Sequence, residues 1–164
     1  MIEVNIASTL GDLIGRLSSL DKSKMLREAA VTAMGEIRHR VHVNGEDSEG
    51  SQIGTYSKGY MKVRTGQLPN VYTKGRNKGN TRKQYNRLPD TKVILSLTRQ
   101  MEDGMAILDT PGGVGIGYHN SFDYNKAIWN EKRLGKPIWK LSTKERELVH
   151  GVAEEHTKSI LNND

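Results

Sequence analysis

Apolar residues recur at every fourth position from Met25 through Ala29, Ala33 and Ile37 to Val41, with Leu26, Ala30 and Met34 beside them. A four-residue repeat holds side chains on one helical face, so the spacing predicts an amphipathic helix from Asp21, a capping residue, to about Val43. Ahead of it, Ser8 is placed to cap a shorter helix through about Leu17, with Leu10, Leu13 and Ile14 on one face. Near the other end, Ser142 and Glu145 form an S-x-x-E capping box. Leu148, Val149, Val152 and Ile160 then give a closing helix its apolar face. Between these helices the period changes. "TKVILSL" (91–97) is apolar and β-branched and predicts a strand, while "TYSKGYMKVRTG" (55–66) reads as a short extended stretch. "MAILDT" (105–110) and "VGIGY" (114–118) flank Pro111-Gly112-Gly113 and predict a hairpin. The stretch from Tyr118 to Leu141 reads as irregular. The pattern predicts one α+β domain over 1–164: N-terminal helices, a small antiparallel sheet with a long loop insertion, and a C-terminal helix.

The loop, residues 65–90, has no hydrophobic period, and Gly, Asn, Pro and Thr separate its charges. It reads as a flexible excursion. Charge makes it more than a linker. From Arg64 to Leu88 the chain carries Arg64, Lys74, Arg76, Lys78, Arg82, Lys83 and Arg87 and no acid, which is +7. The whole chain has a net charge of +6, so the remainder sums to −1. An electrostatic partner is therefore met at this segment. Lys74, Arg76, Lys78, Arg82, Lys83 and Arg87 are the candidate contact residues. Two partners suit them. Clustered cations bind nucleic-acid phosphates by counterion release, and Tyr72 and Tyr85 are available to stack on bases. A charged loop also orders against an acidic protein neighbour.

Composition narrows the remaining choices. Only 35% of the 164 residues are hydrophobic and Phe occurs once, so the core is expected to be small. No apolar run is long enough to cross a bilayer, and the first residues lack the basic and apolar regions of a signal peptide. Cysteine is absent, which fits folding in a reducing cytoplasm and removes thiolate chemistry. Phe122, Tyr124, Trp129 and Trp139 crowd into one polar stretch. Aromatic anchors beside basic and amide residues are used at protein contacts, so one Trp is expected in the core and the other at an interface.

Catalytic patterns are few. Glu36-x-x-His39 and Glu147-x-x-His150 have the spacing of carboxylate-bridged di-metal sites, whose ligands must point into a bundle. With Ile37 facing the core, Glu36 lies roughly 100° and His39 roughly 160° away. Glu147 and His150 lie about 150° from the apolar face of their helix. All four read as solvated, with no metal expected. The glycines of "PGGVGIGY" sit in a hairpin and not at a strand-to-helix turn, so they do not match a dinucleotide fingerprint. No nucleophile–base set stands out, and the chain reads as a non-enzyme without a cofactor.

Taken in order, the long helix, the "DSEGSQIGTYSKGYMKVR" segment (47–64), a sheet ending in "VGIGYHN" and the closing "GKPIWKLSTKERELVHGVAEEH" resemble the tailed-phage virion morphogenesis and tail-completion proteins. Asp47 and Gly50 match the family's turn after the long helix. Pro137, Trp139, Leu141 and Ser142 match its closing Pro-aromatic-Leu-Ser segment. The resemblance runs from about Asp21 to His156, leaving out roughly 65–90. It implies a structural virion protein of the neck, assembled in the bacterial host cytoplasm. It also implies a homo-oligomeric ring, six- or twelve-fold, contacting connector and tail terminator or tube proteins. A basic loop in such a ring would meet acidic grooves of its neighbours or touch DNA non-specifically in a lumen. The alternative is a nucleic-acid-binding protein acting through 74–87.

Overall fold

A computed structural model describes Gly15, residues 21–111 and residues 113–162. The short helix expected from Ser8 lies outside the described residues. The chain folds as α+β, in the order α1 (Lys22–His39), α2 (Lys58–Arg64), α3 (Gln100–Asp103), β1 (Met105–Thr110), β2 (Gly113–Tyr118), α4 (Ser121–Leu134) and α5 (Thr143–Asn162).

Helix α1 starts where its cap predicts, with the Asp21 carboxylate accepting from the Lys24 N–H at 2.9 Å. Its four-residue repeat buries Ala29, Ala33, Ile37 and Val41. At its end the backbone widens into a π-helical turn over Arg40–Asn44, closed by Gly45 at φ 69°. Arg40, Val41 and His42 are all buried in this turn. Gly45 is required there, since a Cβ would stand 2.5 Å from the Val93 carbonyl oxygen.

α5 runs antiparallel to α1, tied by Lys144 to Glu36 at 2.9 Å and by His156 to Glu28 at 2.6 Å. The capping box that opens α5 is reciprocal: the Ser142 hydroxyl accepts from the Glu145 N–H, and Glu145 accepts from the Ser142 N–H. The apolar face of α5 is only half-buried. The hairpin pairs Met105 with Tyr118 and Thr110 with Gly113, and packs against α1. Ile37, Val41, Ile53, Val93, Met105 and Ile138 form the core.

Three segments differ from the periodic reading. Residues 58–64 are helical because the Ser57 hydroxyl caps the Tyr60 N–H and the face they bury carries Arg64, a charged residue that masks the period. Residues 91–97 form no strand. Their pairing stops at a single bridge, Thr55 to Lys92, and Leu95 at φ 44° breaks the extension. Val93 reaches the core even so. Residues 121–134 are a helix, capped by Asn120 and ended by left-handed Gly135. Its buried positions are Asp123 and Ala127, while its aromatics point outward, so hydropathy hides the helical repeat.

Candidate functional site

The basic excursion leaves the body at Arg64 and returns at Arg87. Arg64 is buried, and its Nη1 donates to the Ser96 carbonyl oxygen at 2.8 Å and to the Tyr56 hydroxyl at 3.3 Å. The guanidinium lies 4.4 Å from the centre of the Tyr56 ring. Burial pushes the Tyr56 phenol above its ordinary pKa, so it stays neutral and also accepts from the Ile94 N–H at 3.2 Å. The Arg87 N–H donates to the Arg64 carbonyl oxygen at 2.9 Å, and its Nε and Nη2 both donate to the Leu97 carbonyl oxygen. One arginine at each end thus clamps the base.

Above the clamp the chain folds back on itself. Arg82 N–H donates to Asn70 O at 2.6 Å and Tyr72 N–H to Asn80 O at 3.0 Å, with Val71 bridged to Thr81. Lys74, Arg76 and Lys78 stand exposed at the tip. Arg82 covers the Tyr72 ring at 4.3 Å, and the Lys83 ammonium lies 5.8 Å from the Tyr85 ring. The six basic residues singled out in the sequence therefore divide. Three form an exposed tip, two cover tyrosines, and Arg87 is committed to the base.

The aromatic residues divide as well. Trp139 packs against the core, donates its indole N–H to Ala127 O at 3.0 Å and meets Tyr118 edge-on and His42 at a tilt. Trp129 is 57% exposed, and Phe122 and Tyr124 are exposed on the same helix. Phe122 and Trp129 lie on one flank of α4, where Lys126 covers the first at 4.1 Å and Arg133 the second at 5.0 Å. Tyr124 and Ile128 occupy the opposite flank.

A third cluster joins residues that the sequence marks only separately, Asp47 in its turn and Glu145 in its capping box, and adds Arg40, which no pattern marks. Arg40 donates through Nε to Glu145 at 2.7 Å and through Nη2 at 3.3 Å, an ion pair with Glu145 only 1% exposed. Its remaining N–H groups reach the carbonyl oxygens of Glu46, Ile138 and Lys140. Next to it, buried Asp47 accepts from the Glu49 and Ser51 N–H groups at 2.9 Å and faces Lys136 at 3.4 Å. The Ser48 N–H donates to Pro137 O at 2.9 Å. Residues about a hundred positions apart meet here, a distance at which no local spacing rule operates.

Of the two E-x-x-H pairs, Glu36 is engaged by Lys144, and His39, Glu147 and His150 are exposed. No group of three or more His, Asp or Glu among the described residues is arranged to hold a metal ion. Among the same residues no helix is long and apolar enough to cross a membrane. Comparison with known protein families, with characterised proteins and with solved structures finds no match to this chain.

Proposed function

We infer that the chain is a structural subunit of a tailed-phage neck, a ring-forming tail-completion protein that binds connector and tail proteins through its outer surfaces. One observation supports this most. The two segments on which the family resemblance rests, the Asp47–Gly50 turn and the Pro137–Ser142 run, are distant in sequence and meet in space. They do so through the Ser48–Pro137 hydrogen bond and the Asp47–Lys136 pair, beside the buried Arg40–Glu145 ion pair. Such a polar cluster fixes the placement of two loops. The surfaces left for neighbours are the arm and the aromatic flanks of α4.

The runner-up is nucleic-acid binding through 74–87, and the cationic tip favours it. Against it, Arg82 covers one face of Tyr72, so one of the two stacking platforms is partly occupied. A double-stranded DNA titration at about 50 and 200 mM salt separates the two readings. Wild type is run beside a variant with Lys74, Arg76, Lys78, Arg82, Lys83 and Arg87 changed to Gln. Weak, equal binding by both is expected. Tight binding that collapses with salt and disappears in the variant would make the arm a DNA grip.

A further inference from the structure

Beside α4 the surface opens into two adjoining hollows of about 510 and 300 Å³ that share Tyr60, Leu95, Leu97 and Asn130. Together they make a groove with an aliphatic floor. Trp129 stands along one wall and Tyr60 of α2 along the other. The charged residues that line the groove have one sign, with Glu102 behind it on Ser96. Arg99, Lys126 and Arg133 line it, and no Asp or Glu does. Arg133 rests on the Trp129 ring, and the side chain of Arg99 has no hydrogen-bond or ion-pair partner among the described residues. Lys126 is partly answered, by the Gln100 side-chain oxygen at 3.1 Å and by Asp123 at 3.5 Å.

The backbone adds a separate observation. Only two non-glycine residues of the described chain have positive φ, Leu95 at 44° and Arg99 at 62°, and both line this groove. Such conformations are strained and gather at binding and functional sites. Here they turn Leu95 into the floor and hold Arg99 at the rim.

We propose that this groove is the docking site for an acidic peptide segment of a partner protein, anchored by a large apolar side chain beside Trp129. Apolar floor and cationic rim call for a ligand with an apolar anchor and flanking carboxylates. Arg99 and Arg133 offer the planar forks that bind carboxylates in pairs. Nucleic acid fits less well, because the floor is aliphatic and the two exposed rings on this flank already carry cations. The proposal deepens the reading of the chain as an assembly subunit, and it rests on that reading only for the partner's being a structural neighbour.

The test is selection from a display library of random peptides about 12 residues long, against the full chain. Two variants are compared with it: Trp129→Ser, and the triple change Arg99→Gln, Lys126→Gln, Arg133→Gln. Trp129, Arg99 and Arg133 are exposed and Lys126 is half-buried, so circular dichroism should show all proteins folded. Selected peptides are expected to be rich in Asp and Glu around an aromatic or Leu anchor. Each variant should bind them about tenfold more weakly or worse. No enrichment, enrichment of neutral or basic sequences, or binding indifferent to both variants would overturn the proposal. So would displacement of the selected peptide by an oligothymidine of similar length, or a self-associating chain whose dimer is lost in Trp129→Ser. The selection contains no virion component, so its result stands apart from whether the chain joins a phage neck.

Discussion

His42 is buried against Trp139 and contacts the Ile94 carbonyl oxygen through Nδ1 at 3.2 Å. A carbonyl only accepts, so Nδ1 carries the proton and Nε2 keeps a buried lone pair without a partner among the described residues. Burial holds the imidazole below its ordinary pKa of 6.5, with the Glu102 carboxylate opposing that shift and Arg38 reinforcing it. Between pH 6.5 and the lower folded value, the unfolded chain binds a proton that the native chain refuses. Stability should therefore be full above pH 6.5 and decline as pH falls through that window. Urea unfolding at pH 7.5 and 5.5 would reveal the decline in wild type and a flatter profile in His42→Gln. The Arg40–Glu145 pair makes a stronger prediction at the same scale. Glu145→Ala leaves a guanidinium buried without its counter-charge, which costs about 3–5 kcal/mol. Glu145→Gln keeps the shape and one acceptor, so it should cost less; urea midpoints of both variants check the order.

At the scale of elements, caps decide more than propensity. Ser142→Ala removes one half of the α5 capping box and should cost about 1 kcal/mol in the unfolding free energy. The arm depends on its base. Gly66 has φ 68°, and a Cβ there would stand 2.6 Å from the Tyr85 carbonyl oxygen. Gly66→Ala should loosen the return of the chain toward Arg87, seen as faster tryptic cleavage after Lys74, Arg76 and Lys78 with the body left intact. Where period and burial agree, as in α1, the hairpin and the start of α5, the elements were legible in the sequence. α4 was not, because its inward face carries Asp123 and Ala127 and its aromatics look out. The 91–97 strand was over-read, since β-branched residues serve a buried connection as well as a ladder. Among site residues, the exposed tip could be foreseen from composition, and so could the division of the two tryptophans, but not that Trp129 is the exposed one and Trp139 the one packed on the core. The structural use of Arg64 and Arg87 could not, because a clamp depends on carbonyl oxygens that the sequence does not place.

For the whole molecule, a nearly neutral body carries one cationic arm, one aromatic-flanked helix and a buried polar cluster that fixes two loops. The arm and the aromatic flanks face outward, and the polar cluster faces inward. A partner that binds only the folded chain would add to the stability of so small a core. The most direct test of the neck reading is electron microscopy of particles made by a phage whose copy of this coding sequence has been deleted. Filled heads and separate, unjoined tails, restored to whole virions by supplying the protein, are the expected result. Normal, infectious particles without the protein would contradict it.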